Sequence, residues 1–126
     1  MIYYTDGFTI WRNPSPKGGG YTVIDATNTL RSYQVIAKKG FTNNEGELLG
    51  ILNALELAET GDTIISDSRI CINWILRGQA GTRIDLWSRA REGQKLWRIK
   101  KINLKWENRR DILAGQYNER TKHIIP

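Results

Sequence analysis

The sequence contains a single cysteine, Cys71, so no disulfide can form within the chain, and a reducing compartment is favoured. No apolar run approaches the roughly 18 residues that a membrane-spanning helix requires. The N-terminus, MIYYTDGF, introduces a charge and a glycine before any apolar segment develops, unlike a signal peptide. We therefore expect a cytoplasmic protein without a membrane partner.

Internal repeats, low-complexity segments and long linkers are also absent from the sequence. The length of 126 residues suits one compact domain, and 40% of the residues are apolar, including five tryptophans. This content is sufficient for a hydrophobic core and argues against disorder. We expect one domain over residues 1–126, with a short C-terminal tail over about residues 119–126, and a monomer.

The whole chain has a formal net charge of +6, and its basic residues are concentrated in one part. Residues 1–68 contain 5 basic and 8 acidic residues, a net charge of −3, whereas residues 69–110 contain 12 basic and 3 acidic residues, a net charge of +9. A basic small domain suits a polyanionic partner such as nucleic acid. The acidic part could then supply metal ligands and the basic part could bind phosphates.

Hydrophobic periodicity and turn residues predict an alternation of strands and helices. The first forty residues favour a three-stranded antiparallel meander. A helix should follow, capped by Asn43 or Asn44 and ended by Gly61, and a later helix should be weakened or broken at Gly93. The predicted strands cover residues 2–11, 21–25, 33–38, 63–66 and 102–106, and the predicted helices cover about residues 44–60, 68–76, 85–100 and 108–118.

This order of elements implies an α/β fold with a five-stranded mixed sheet flanked by helices. The strand near Thr63 must return past a helix, so it should lie parallel to the first strand, and the strand order 3-2-1-4-5 follows. Asp6 in the first strand and Asp67 at the carboxyl end of the fourth can then meet. Ligand sites in open α/β sheets gather at such carboxyl ends.

Four acidic stretches carry the functional signal, and each is weak alone. An isolated Asp67 is typical of a helix cap, and an isolated Asp111 is typical of a solvated helix residue. The stretches are Tyr4-Thr5-Asp6-Gly7, Thr42 to Leu49 with Glu45 and Glu47, Ile64 to Ser68 with Asp67, and Arg110 to Ala114 with Asp111. Together, in this order and spacing, they resemble the four acidic motifs of the ribonuclease H family, in a compact form of its type 1 members.

The resemblance implies a ribonuclease H-like fold and an endonuclease that hydrolyses the RNA strand of RNA–DNA hybrids. It implies that Asp6, Glu47, Asp67 and Asp111 are the catalytic carboxylates and metal ligands. Mg²⁺ prefers oxygen ligands, and two ions can activate water and stabilise a leaving oxygen. We therefore expect two Mg²⁺ ions, for which Mn²⁺ can substitute. Glu47 precedes a leucine as the family ligand does, so we expect the neighbouring Glu45 to be solvated.

The resemblance also implies residues that bind the hybrid. Thr42 is similar to the family residue that holds a DNA phosphate, and Asn13, Asn43 and Asn44 are similar to those that contact the minor groove, where 2′-hydroxyls distinguish RNA from DNA. Without the family context, the run from Thr42 to Asn44 fits a loop and helix cap equally well. Because the segment from Arg77 to Arg83 is too short for the family's basic protrusion, we expect substrate contacts at Arg98, Lys100 and Lys101.

The sequence departs from the family between the last strand and the last helix. Many members have a Gly-His loop there, whereas here Trp106 is followed almost directly by the segment that contains Asp111. We expect Arg109 or Arg110, and after them His123, to compensate for the absent loop histidine. Two alternatives stay open at this stage: a different nuclease of the same fold, such as a resolvase or a reverse-transcriptase domain, and an inactive or weakly active module that binds hybrid or other double-stranded nucleic acid.

Overall fold

The computed structural model describes residues 1–108. Strands and helices alternate in the predicted order, and the predicted last helix, the tail and the residues Arg109, Arg110, Asp111 and His123 lie outside the described residues. The elements are β1 (Ile2–Thr9), β2 (Gly18–Asp25), β3 (Leu30–Ala37), α1 (Asn43–Leu57), β4 (Thr63–Ser66), α2 (Arg69–Arg77), a short 3₁₀ helix (Ile84–Leu86), α3 (Trp87–Ile99) and β5 (Asn103–Trp106).

The five strands form one mixed sheet in the order β3-β2-β1-β4-β5, which confirms the predicted topology. The first three strands pair antiparallel. β4 lies parallel to β1 on one side and to β5 on the other. Because β1 and β4 run in the same direction, the residues at their carboxyl ends share one edge of the sheet.

The hydrophobic core lies between the sheet and the helices. α1 buries its apolar side chains at helical spacing against β1 and β2, and each large aliphatic side chain so buried contributes about 1.5–3 kcal/mol. The largest buried side chains include Phe41, Ile24, Leu48, Ile51, Leu55, Ile64 and Ile75.

Within residues 1–108, no helix has the length and apolar character needed to cross a membrane.

Two glycines allow the start of α1 to approach the sheet closely. A Cβ atom on Gly7 would lie 2.3 Å from the backbone nitrogen of Glu47, and one on Gly46 would lie 2.6 Å from the carbonyl oxygen of Gly20. Side-chain carbon atoms do not approach other atoms this closely, so larger residues at either position would force the helix off the sheet. The close contact therefore requires glycine at both positions, and it places Glu47 directly over β1.

Three predictions about the helices were wrong. α1 ends at Leu57, with Ala58 as its C-cap, rather than at Gly61. α1 is capped by Thr42, whose hydroxyl oxygen accepts a hydrogen bond from the backbone N–H of Glu45, rather than by Asn43 or Asn44. α3 continues through Gly93 without a break, because this glycine is a packing position: a Cβ atom there would lie 2.3 Å from Cδ1 of Ile75 on α2. A sequence pattern cannot separate a glycine that breaks a helix from one that admits a neighbouring helix.

Candidate active site

Three of the four predicted carboxylates meet at the carboxyl edge of the sheet. β1 and β4 pair in parallel, with Tyr4 opposite Ile65. Asp6 lies two residues after Tyr4, and Asp67 lies two residues after Ile65, just past the end of β4. Glu47 approaches from α1. One carboxylate oxygen from each of the three residues lies within 4.8 Å of the others. The expected convergence is therefore present for Asp6, Glu47 and Asp67, and Asp111 lies outside the described residues.

Burial makes this carboxylate cluster electrostatically unfavourable by itself. Asp6 is 1% exposed and Glu47 is 6% exposed. Burial raises the pKa of Glu47 well above its ordinary value, and the negative charges of Asp6 and Asp67 raise it further. A hydrogen bond from the backbone N–H of Gly7 opposes this shift only in part.

The residues of the cluster suit a hard divalent cation. Oε2 of Glu47 is buried and accepts no hydrogen bond from the residues that the structure describes. A buried oxygen without a donor is costly unless something else compensates it. Three carboxylates within a few ångströms are oxygen ligands of the type that Mg²⁺ and related ions prefer, and a cation would supply the missing compensation.

We expect Glu47→Gln to stabilise the metal-free protein by an amount that grows as the pH rises. The pKa of Glu47 is raised above its ordinary 4.5, so the folded wild type holds this proton more tightly than the unfolded chain. The stabilisation that the bound proton provides is therefore complete below about pH 4.5. This stabilisation is lost as the pH rises towards the raised pKa, by at most about 1.4 kcal/mol per pH unit. Glutamine has no proton to lose.

Thermal unfolding of both proteins in the presence of a chelator, between about pH 4 and pH 8, measures this difference. Saturating Mg²⁺ should stabilise the wild type more than Glu47→Gln, because only the wild type keeps every ligand. A difference in melting temperature that does not change with pH would contradict this account of the cluster.

Four of the predicted hybrid-binding residues lie around the start of α1: Asn13, Thr42, Asn43 and Asn44. Oδ1 of Asn13 accepts a hydrogen bond from the backbone N–H of Asn43 at 3.0 Å, which ties the β1–β2 turn to the helix and leaves the Asn13 amide hydrogens to other acceptors. Asn43 and Asn44 line a cavity of about 380 Å³ together with Glu47 and Asp67. The structure thus brings these asparagines next to the carboxylate cluster.

A buried thiol fixes the position of Asn44. Sγ of Cys71 donates a hydrogen bond to the carbonyl oxygen of Asn44 at 3.3 Å. Burial raises the pKa of Cys71 to about 12, so the sulfur stays protonated and keeps its role as a donor. The only cysteine of the chain therefore supports the site structurally.

The hydroxyl of Thr42 can act towards a ligand only as a donor. Its oxygen accepts hydrogen bonds from the backbone N–H of Glu45 at 3.2 Å and from Nη1 of Arg83 at 2.8 Å. A hydroxyl oxygen has two lone pairs, and both accept hydrogen bonds here. The hydroxyl can therefore only donate its hydrogen to a further partner. A phosphate oxygen is an acceptor that suits this arrangement. Sequence reasoning missed Arg83, which lies 41 residues from Thr42 in the chain and so belongs to no local motif with it.

The prediction that Glu45 is solvated was wrong. Its side chain is buried, and its carboxylate forms ion pairs with Nζ of Lys38 at 2.6 Å and with Nη2 of Arg83 at 3.3 Å. Arg83 also pairs with Asp85 at 2.9 Å. Glu45 faces two cations that come from other elements, whereas Glu47 faces two acids, so the two glutamates have opposite electrostatic environments.

Of the predicted substrate contacts Arg98, Lys100 and Lys101, Lys100 has side-chain contacts that place it away from the carboxylate cluster. Nζ of Lys100 donates hydrogen bonds to the carbonyl oxygens of Leu55 at 2.7 Å and Glu56 at 3.0 Å, in the last turn of α1. Glu47 lies in the second turn of the same helix, about 12 Å away at 1.5 Å per residue. Lys100 therefore compensates the partial negative charge at the carbonyl end of α1. Arg98 and Lys101 are close to Lys100 in the sequence.

The strand order and the acidic cluster together define a ribonuclease H-like class of fold. The sequence model of the RNase H family matches residues 1–123, so the chain belongs to the RNase H family. None of the curated proteins compared with this chain matches it in sequence.

Several solved structures share this fold. The N-terminal RNase H domain of Rv2228c from Mycobacterium tuberculosis, solved as a fusion with maltose binding protein, is 23% identical, with 95% of each chain covered and a TM-score of 0.65. LC11-RNase H1, isolated from compost by a metagenomic approach, is 18% identical, with 99% of this chain and 97% of that chain covered and a TM-score of 0.68. A second structure of LC11-RNase H1, in complex with an RNA/DNA hybrid, is 18% identical, with 87% and 86% covered and a TM-score of 0.58.

Proposed function

We propose that this chain is a metal-dependent endonuclease that hydrolyses the RNA strand of RNA–DNA hybrids. The observation that carries the proposal is the meeting of Asp6, Glu47 and Asp67 beside a helix start that presents Asn43 and Asn44. Family membership supports a nuclease, and a structural neighbour was solved with an RNA/DNA hybrid. We assign the fourth carboxylate to Asp111.

The carboxylates of Asp6, Glu47, Asp67 and Asp111 would hold two Mg²⁺ ions, for which Mn²⁺ can substitute. When bound, such ions lower the pKa of water and stabilise charge on the leaving 3′-oxygen of a phosphodiester. The two aspartates on β1 and after β4 are fixed by the sheet, and Glu47 is fixed by the close contact of α1 with Gly7. This rigidity keeps the ligand oxygens in place for the reaction.

The residues around the start of α1 would distinguish the hybrid from other nucleic acids. Thr42 would donate its hydroxyl hydrogen to a phosphate of the DNA strand, with Arg83 holding the hydroxyl in that orientation. Asn13, Asn43 and Asn44 would contact the minor groove, where the 2′-hydroxyls of the RNA strand are accessible. Arg109, Arg110 and His123 stay as predicted auxiliary groups that would compensate for the absent loop histidine.

A module that only binds nucleic acid is the alternative, and the acidic cluster argues against it. Three clustered carboxylates would repel a phosphate backbone unless cations were bound between them. A binding module gains nothing from this repulsion, whereas a metal-dependent nuclease requires the ligands.

Rates of cleavage on matched substrates test the proposal. The wild type is compared on an RNA–DNA hybrid, duplex RNA, duplex DNA and single-stranded RNA of one sequence, in Mg²⁺, in Mn²⁺ and in chelator. We expect metal-dependent cleavage of the hybrid and none of duplex DNA or single-stranded RNA. Binding of the hybrid without cleavage in either metal would favour the binding module, and cleavage that persists in chelator would contradict the assigned chemistry.

A further inference from the structure

A cation is held against an aromatic ring at the same edge of the sheet as the carboxylates. Cζ of Arg69, the first residue of α2, lies 3.9 Å from the ring centroid of Trp106, the last residue of β5. Nε1 of Trp106 donates a hydrogen bond to the carbonyl oxygen of Asp67 at 2.9 Å. The ring is therefore fixed to the backbone of a carboxylate residue, and it positions the guanidinium of Arg69.

Stacking leaves the hydrogen-bonding edge of the guanidinium available. The aromatic ring contacts a face of the planar group, whereas the five N–H donors point outwards in its plane. Among the residues that the structure describes, none accepts a hydrogen bond from the Arg69 side chain, which is exposed. A stacked guanidinium of this kind is preorganised for a bidentate contact with a phosphate.

The position of this pair connects it to the carboxylate cluster. Arg69 and Trp106 line the cavity of about 380 Å³ that Glu47, Asp67, Asn43 and Asn44 also line. A nucleic-acid backbone that enters this cavity meets negative charge on one part of the wall and a fixed positive charge on another. The guanidinium would offset the repulsion between the backbone and the carboxylates.

We propose that Arg69 is a phosphate-binding residue of this site and that Trp106 is the positioning residue that holds it. The ligand is a backbone phosphate of the bound hybrid, next to the carboxylate cluster. The proposal rests on the proposed function for the identity of the ligand. A purely structural role for the Arg69–Trp106 pair would affect the melting temperature and leave the salt dependence of binding unchanged.

Binding of a fluorescently labelled hybrid in Ca²⁺, measured over a range of salt concentrations, tests the role of Arg69. Losing one phosphate contact should lower the slope of log affinity against log salt by about 0.9, taking the value for B-form DNA as a guide. Arg69→Gln should also raise the Kd by about tenfold, as for one hydrogen bond to a charged group. Arg69→Lys should keep most of the slope and lose part of the affinity, because it retains the charge without the planar fork.

Arg77→Gln is the matched control, because it removes one positive charge from the other end of α2, about 12 Å from Arg69. We expect it to leave the slope unchanged, and melting curves confirm that each variant is folded. A slope and Kd for Arg69→Gln that match those of Arg77→Gln would overturn the proposal.

A double-mutant cycle tests the positioning role of Trp106. If Trp106 acts through Arg69, Trp106→Leu should weaken binding by a similar factor, and the double variant Arg69→Gln/Trp106→Leu should bind no more weakly than Arg69→Gln alone. Additive losses would overturn the role of Trp106 and leave that of Arg69.

The same preparations separate this inference from the proposed function. Cleavage of the hybrid by the wild type, with a Kd and slope that do not depend on Arg69, would refute the inference and leave the function standing. Arg69-dependent binding without cleavage in Mg²⁺ or Mn²⁺ would refute the function and leave the phosphate site standing. No binding of the hybrid by the wild type at low salt would refute both.

Discussion

Asp67→Asn should reduce cleavage of the hybrid by roughly 10²–10³-fold, which corresponds to about 3–4 kcal/mol of transition-state stabilisation. The change is nearly isosteric and removes the charge of one metal ligand. Of the three carboxylates that the structure brings together, Asp67 is the least buried. Single-turnover rates at equal metal concentration measure the loss.

The fold should tolerate Asp67→Asn because it does not depend on this side chain. α2 is capped by Ser68, whose hydroxyl oxygen accepts a hydrogen bond from the backbone N–H of Cys71 at 3.1 Å. Trp106 bonds to the carbonyl oxygen of Asp67 and leaves its carboxylate to the site. The melting temperature and the affinity for the hybrid should therefore stay close to those of the wild type.

Glu59→Gln is the control for Asp67→Asn, since it replaces an exposed carboxylate by an amide at the opposite end of β4. We expect it to cleave at the rate of the wild type. If Asp67→Asn cleaves as fast as this control at equal metal, Asp67 is not a ligand and the assignment of the site is wrong.

Gly7→Ala should destabilise the protein by about 3 kcal/mol and should impair cleavage as well. The added Cβ atom would lie 2.3 Å from the nitrogen of Glu47 and 2.5 Å from the carbonyl carbon of Gly46. Non-bonded carbon atoms prefer about 3.5–4.0 Å, so α1 must move away from β1 by roughly 1 Å. These are backbone atoms, so no side-chain rotation relieves the contact.

This displacement would separate Glu47 from Asp6, so the two effects of Gly7→Ala should occur together. A chain of this size should lose roughly 10 °C in melting temperature, and misplacement of a ligand by about 1 Å can cost up to about 10²-fold in rate. Thermal unfolding and single-turnover rates, measured well below the new melting temperature, give both quantities.

Gly50→Ala provides the comparison for Gly7→Ala, because it also adds one methyl group in the contact between α1 and the sheet. Its Cβ atom would meet Cβ of Tyr21 at 3.1 Å, and the gain in helix propensity of about 1 kcal/mol opposes this mild crowding. We expect Gly50→Ala to stay within about 1 kcal/mol of the wild type. Equal melting temperatures for the two variants would show that the contact at Gly7 does not hold α1 in place.

The sequence was sufficient to predict the sheet order and the convergence of Asp6, Glu47 and Asp67, because those inferences use local motifs and a simple connection rule. Each acidic motif is local, and the parallel connection from β1 to β4 has few topological solutions. Once β1 and β4 are neighbours, Asp6 and Asp67 fall at the same edge. Glu47 followed from the resemblance to the family, whose ligand precedes a leucine as Glu47 precedes Leu48.

Long-range side-chain partners were not predictable from the same patterns. The burial of Glu45 depends on Lys38 and Arg83, which are 7 and 38 residues away in the chain. The contacts of Lys100 with the carbonyl oxygens of Leu55 and Glu56 depend on where α3 ends. The stacking of Arg69 on Trp106 depends on the pairing of β4 with β5.

The most direct test of the proposed nuclease is a hybrid whose RNA and DNA strands carry different labels. The account predicts that the wild type shortens only the RNA strand, only with Mg²⁺ or Mn²⁺, and leaves fragments with 5′-phosphate and 3′-hydroxyl ends, because water attacks and the 3′-oxygen leaves. Cleavage of the DNA strand, RNA fragments with 2′,3′-cyclic phosphate ends, or an intact RNA strand in both metals would contradict it.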